Sequence, residues 1–204
     1  MTPPQWPADL TRFTGTRVRQ YRVERGLSAD QLAQAIDAAG VRYTRAQVTN
    51  LEANRRTTIT VGELLVLARV LDVPPVALLL PLGDADDEVE VLPGVRTSAW
   101  AAYQWITGEA PLGQRGTDSD RLRINTAHTD PERFLDAARP VNLLRRYSAE
   151  VTAFGHWRHI DSSRAMSAVE NIVQIRREMR EHGIDVPGLT GVIADAVAEH
   201  EGAE

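Results

Sequence analysis

The sequence predicts an all-α protein, with a bundle of short helices at the front and a mostly helical region behind it. Two observations carry that reading. Apolar residues recur every three or four positions through most of the chain, the period of one helix face. Capping residues open those stripes, and glycines or prolines close them. Extended chain is hinted at only by Val89, Val91 and Val95 around Pro93-Gly94.

Residues 1–12 are rich in proline and read as a loose terminus, with Trp6 docking on the body. A helix from Thr16 to Arg25 turns Val18 and Tyr21 inward, and Gly26 ends it. Ser28 caps the next, from Ala29 to about Ala39, with Leu32, Ala33 and Ile36 at core spacing and Asp30 placed to suit the helix dipole. Gly40 stops it, and Val41-Arg42-Tyr43 turn the chain. Thr44 caps a third helix whose Val48 and Leu51 point to one face. Thr60 and Glu63 form a capping box ahead of Leu64, Leu67, Ala68 and Leu71. Asp72-Val73-Pro74-Pro75 then restarts the chain into a short helix, Val76 to Leu80. Five helices in about seventy residues, the second and third joined by a turn, are a helix-turn-helix arrangement.

The third helix carries the chemistry. With Val48 and Leu51 inward, Arg45, Gln47, Thr49 and Asn50 occupy its other faces, and Arg55 and Arg56 follow it. Arginine pairs bidentately with guanine, and asparagine or glutamine with adenine, in the major groove of a duplex. The blander reading of such a helix is a solvated surface element.

Charge placement fits the sharper reading. Residues 1–82 hold 10 arginines against 7 acidic residues, and residues 83–204 hold 13 against 21, so the net charges are +3 and −8. A weakly basic front and an acidic rear suit a DNA-binding module joined to something that does not touch phosphate. All 23 basic residues are arginine. Cysteine is absent, which excludes disulfides and cysteine-ligated zinc. The first residues show neither a basic segment nor an apolar run, so no secretory leader is expected. The most apolar window, Val61 to Leu82, contains Glu63, Arg69, Asp72 and three prolines and cannot span a membrane. The expected location is cytoplasmic.

Residues 15–80 resemble the Cro/C1-type (Xre) helix-turn-helix family. The resemblance lies in Gly15-Thr16-Arg17-Val18-Arg19, Arg22, Arg25-Gly26-Leu27-Ser28, Gln31-Leu32-Ala33, Val48-x-x-Leu51-Glu52 and Leu64-x-x-Leu67-Ala68. It implies a five-helix, lambda-repressor-like domain over residues 13–82, double-stranded DNA as partner, and a homodimer. It implies base-edge contacts from Arg45, Ala46 and Asn50, with Gln47 and Thr49 flanking. It implies phosphate contacts from Ser28, Arg42, Thr44, Arg55 and Arg56, and an internal ion pair between Arg22 and Glu52. The stretch Asp37 to Tyr43 is longer than the turn this family usually places there. Some repressors of this kind cleave themselves with a serine–lysine pair. That chemistry needs a lysine to deprotonate the serine, and this chain has none.

Residues 83–96 read as an acidic linker with a possible short strand, and residues 97–204 as a helical C-terminal region. Thr97 or Ser98 caps a helix with Trp100, Tyr103, Trp105 and Ile106, ended by Gly108, whose aromatics read as packing residues rather than a ligand box. Residues 110–128 read as a mobile loop. Asp130-Pro131 opens a helix that Pro140 interrupts. Beyond it run the stripes Leu144, Tyr147, Val151 and Phe154, then Met166, Val169, Ile172, Val173 and Met179, then Leu189, Val192, Ile193, Ala196 and Val197. Their burial within the chain is one reading and helix-on-helix dimerisation the other, with the second preferred because half-site recognition usually needs two copies. His156 and His159, with Asp161, fall short of a metal signature. No nucleophile motif or phosphate-cradling loop appears, so no catalytic residue, metal or cofactor is expected.

The function that follows is a sequence-specific, dimeric DNA-binding regulator, a repressor in preference to an activator. Two alternatives stay open: an antitoxin-like protein whose acidic rear meets a basic partner, and a sensor with a ligand pocket near Trp100 and Trp105.

Overall fold

The computed structural model describes residues 5–83, 88–112 and 130–202. Most of the expected loop 110–128 lies outside them, as does the centre of the acidic linker. Among the described residues the chain is all-α apart from one small hairpin. In order it has α1 (Trp6–Glu24), α2 (Ala29–Ala38), α3 (Arg45–Glu52), α4 (Val61–Val70), α5 (Pro75–Leu79), β1 (Glu88–Leu92), β2 (Val95–Ser98), α6 (Ala99–Ile106), α7 (Pro131–Trp157), α8 (Ser162–Glu181) and α9 (Val192–Glu201).

Local sequence sets the ends of these helices. Helices α2, α3 and α4 each open with a reciprocal capping box, from Ser28 and Gln31, Thr44 and Gln47, and Thr60 and Glu63. In each, two orphan amides are satisfied at once. The exits are as uniform. Gly26, Asn54 and Asp72 take positive φ just past α1, α3 and α4. The next amide in each case reaches back to the helix, as Arg55 does to the Asn50 carbonyl at 2.9 Å. This is the left-handed C-terminal turn that glycine or asparagine permits most cheaply.

The first helix begins much earlier than Thr16. Residues 6–12, expected to be loose, form its first turns. Pro7 suits a first turn because its missing N–H would have no partner there. Thr11 and Thr14 are buried, and their hydroxyls donate to the Pro7 and Leu10 carbonyls at 2.8 and 3.0 Å. Trp6 does dock: its indole N–H donates to the Glu90 carbonyl at 2.8 Å.

The described residues divide into two compact units, 5–83 and 88–107 with 112, and 108–111 with 130–202. The sequence placed the division in 83–96; in the structure it falls after α6. In the first unit, Val18, Leu32, Ala33, Ile36, Tyr43, Val48, Leu51, Leu67, Ala68, Leu71 and Leu78 make one core. Strands β1 and β2 pair antiparallel, and the hairpin and α6 extend that unit around Leu80, Val91 and Ala102. Tyr103 packs on this cluster, while Trp100 stacks on Tyr103 with ring centroids 5.1 Å apart and stays exposed.

The second unit is an antiparallel pair, α7 and α8, with α9 against it. Pro140 does not interrupt α7, which runs through it unbroken. The proline lies on the exposed side, and the bond it forfeits is outweighed by packing along the length of α8. The buried stripe also differs from expectation. Leu143, Tyr147 and Phe154 go inward, and Leu144 stays exposed. On α8, Ala165, Ala168 and Val169 are buried while Met166 faces out. Small residues let the two helices approach, and that fixes a register the larger neighbours cannot share. Val192 is likewise exposed, with Val197 carrying the buried face of α9. Arg176 and Arg180 converge on Glu201 at 3.2 and 2.7 Å, and their hydrogen bonds, that of Arg180 first, hold its carboxyl below the usual range.

Candidate nucleic-acid interface

Helix α3 is held from behind and at both ends. Val48 is fully buried and Leu51 nearly so. Its first turn is closed by the Thr44–Gln47 box and its last by the left-handed turn at Asn54. Helix α1 crosses its C-terminal end so closely that Gly15 lies against the Leu51 carbonyl. Beside that contact Arg22 forms a two-pronged ion pair with Glu52, Nε to Oε1 at 2.6 Å and Nη2 to Oε2 at 2.7 Å. The remaining guanidinium nitrogen donates to the Leu27 carbonyl at 2.7 Å. The hydrogen bond to Glu52 raises the arginine's pKa against the opposing effect of burial. The expected pair is therefore present, with side chains only 14% and 9% exposed.

The outward face is polar and in part unengaged. Arg45, Ala46, Gln47 and Thr49 are exposed, and Asn50 is half-buried. Gln47 is not wholly free, since its Oε1 accepts from the Thr44 amide at 2.8 Å. Thr49 donates back to the Arg45 carbonyl at 2.9 Å. Thr44 and Ser28 spend their hydroxyls on caps. Among the described residues no side-chain hydrogen bond or ion pair engages Arg45 or Asn50, nor Arg42 or Arg55, both exposed. Arginine and asparagine heads are therefore displayed on a fixed helix whose back is core.

Arg56 is placed differently. Its guanidinium donates to both oxygens of Glu63, at 2.6 and 3.0 Å, and to the Tyr43 hydroxyl at 2.8 Å. Tyr43, read from the sequence only as part of a turn, is 6% exposed. Burial, then the nearby Glu63 charge, pushes its phenol up to about 12 despite Arg56. Burial acts on the Glu63 carboxyl in the same direction, but bonds from Arg56 and from the Thr60 amide and hydroxyl outweigh it and bring it down to about 2. A folded-state value below the ordinary 4.5 means that the stabilisation is complete above about 4.5 and is lost as pH falls through about 2. Thermal unfolding of wild type and Glu63→Gln across that window should show wild type more stable near neutrality and the gap closing on acidification. A gap that stayed constant would exclude the ionised carboxylate as its source.

In the second unit, His156 packs edge-on against Trp157 with centroids 4.5 Å apart, and Arg164 lies 4.3 Å over the same indole. Among the described residues no group of three possible metal ligands converges, and no helix is long and apolar enough to cross a membrane.

Residues 18–78 match the model of a protein family described as helix-turn-helix. That segment is a DNA-binding helix-turn-helix domain, and its type is that of the Cro/C1 (Xre) regulators. No curated protein and no solved structure matches the chain.

Proposed function

We propose that the chain is a sequence-specific transcription regulator that acts as a dimeric repressor, with α3 entering the major groove of its operator. The observation that carries this is the pair of unengaged heads, Arg45 and Asn50, on the outer face of a helix anchored through Val48, Leu51 and Glu52. Arg45 and Asn50 read base edges, flanked by Ala46, Gln47 and Thr49. Arg42 and Arg55 meet phosphates, joined by the exposed amino-terminal turns at Ser28 and Thr44. Phosphate contacts supply salt-dependent affinity, and base contacts supply preference. Dimerisation is argued from half-site recognition, which for a domain of this kind usually needs two copies. Two copies would meet half-sites about one helical turn, 34–36 Å, apart. No catalytic role is assigned to either unit.

The test is selection of bound duplexes from a random pool with the intact protein, alongside sedimentation to give the oligomeric state. Arg45→Ala or Asn50→Ala should each cost about 1–3 kcal/mol of discrimination at its own base position. Arg55→Ala should weaken all duplexes alike and lower the slope of log affinity against log salt by about 0.9 for each copy bound. If both α3 variants selected the same sequences as wild type, α3 would not be the reading helix.

A further inference from the structure

Resting on that reading of α3, we infer that Arg56 is a positioning residue for the reading helix and not one of its phosphate contacts, acting with Tyr43 and Glu63 as a brace. Tyr43 immediately precedes the α3 cap, Thr44, and Arg56 lies in the exit loop just past the turn at Asn54. One guanidinium therefore ties the chain entering α3 to the chain leaving it, through the 2.8 Å bond to the Tyr43 hydroxyl. The same guanidinium fastens both to α4 through its two-pronged contact with Glu63. Glu63 has no freedom to follow Arg56 outward, since its Oε2 also accepts from the Thr60 amide at 2.9 Å and the Thr60 hydroxyl at 3.0 Å.

The need for such a brace lies in the connection. Between α2 and α3 the chain runs through Ala39, Gly40, Val41, Arg42 and Tyr43, and Gly40 takes φ +92°. A connection of that length does not by itself set the angle at which α3 enters. A planar guanidinium held by a carboxylate on one side and a phenol on the other does, because its fork geometry is rigid. To reach a phosphate, Arg56 would have to abandon three hydrogen bonds with side chains 23% and 13% exposed in the pair with Glu63. Arg55, exposed and unengaged beside it, meets a phosphate without that loss.

The two roles predict opposite signs. Affinities of the full-length protein are measured for a duplex selected by wild type and for an unrelated duplex of equal length, over a range of salt and below the unfolding temperature. Glu63→Gln, Tyr43→Phe and Arg56→Lys should each reduce the preference for the selected duplex by about tenfold, the scale of one misaligned base contact. Affinity for the unrelated duplex and the salt slope should not change. Arg56→Lys is decisive because it keeps the charge and loses the fork. The inference is overturned if Glu63→Gln tightens binding to both duplexes, which a released phosphate-binding arginine would do. It is overturned equally if Arg56→Lys keeps wild-type preference, or if the variants unfold at lower temperature with preference intact, the mark of a merely structural contact. A wild type that enriches no sequence at all would remove the reading of α3, and the inference with it. Enrichment by wild type combined with any of the preceding outcomes removes the inference alone.

Discussion

Gly15→Ala should destabilise the front unit by about 2 kcal/mol or more, although it places the best helix former inside a helix. A β-carbon at position 15 would lie 3.0 Å from the Leu51 carbonyl carbon and closer still to its oxygen. Both atoms belong to the backbone of α3, so no side chain can swing aside. Overpacking of this kind costs about 1–3 kcal/mol where side chains can yield, and more where they cannot. Against it stands about 1 kcal/mol of helix propensity gained over glycine. The net loss should lower the unfolding temperature of a unit this size by about 10 °C. Because the atom that must retreat is on α3, preference among duplexes should fall even at temperatures where the variant stays folded. Calorimetry and the two-duplex comparison check the two halves of this expectation. An unchanged unfolding temperature would mean that α1 and α3 slide apart freely.

The same contact shows what could be read in the sequence and what could not. Gly15 was visible as part of a family pattern, but its reason, a close approach between helices far apart in the chain, is a tertiary fact with no local signature. The caps of α2, α3 and α4 are local, and their residue types place them correctly from sequence. Gln47 illustrates the limit between the two. Thr44-x-x-Gln47 has the same spacing as Thr60-x-x-Glu63, yet Gln47 reads from sequence as a possible base contact, and in the structure its carbonyl oxygen closes the cap. Arg56 and Glu63 are seven residues apart, and nothing in the sequence says that a charged arginine next to Arg55 turns back rather than out. Tyr43 looked like turn filler because one buried aromatic in a loop has no periodicity to betray it.

The rear half was less legible for a related reason. Helical spacing announced α7, α8 and α9, but the spacing alone does not choose between adjacent apolar residues. Leu143 and Leu144 satisfy neighbouring stripes equally well, and the choice of Leu143 follows from which face of α7 meets α8. Pro140 reads from sequence as a break because a proline's local cost is fixed, whereas the packing that outweighs it depends on a partner helix some thirty residues on. The amino terminus failed in the other direction. Its prolines suggested loose chain, but Pro7 sits where a helix loses nothing by having it, and Trp6 finds a carbonyl acceptor on β1.

Glu52→Leu should cost the front unit about 3 kcal/mol, and replacing its partner as well should restore most of that loss. With Glu52 gone, the Arg22 guanidinium keeps only the Leu27 carbonyl at 2.7 Å, in a site that leaves its side chain 14% exposed. Removing one member of a buried pair leaves a charge without compensation, which costs about 3–5 kcal/mol, the lower end applying to a pair that keeps some exposure. Arg22→Met with Glu52→Leu removes both desolvation penalties and supplies apolar contact, so the double variant should lie within about 1 kcal/mol of wild type, well short of the sum of the two single losses. Denaturant unfolding of the four proteins measures this directly, and additive losses would show that the two side chains do not act as a pair. Duplex preference separates stability from orientation. The ion pair fixes α1 to the end of α3 through two directional bonds at 2.6 and 2.7 Å, and apolar side chains of similar volume specify no such angle. The double variant should therefore recover its unfolding midpoint without recovering its preference for the selected duplex.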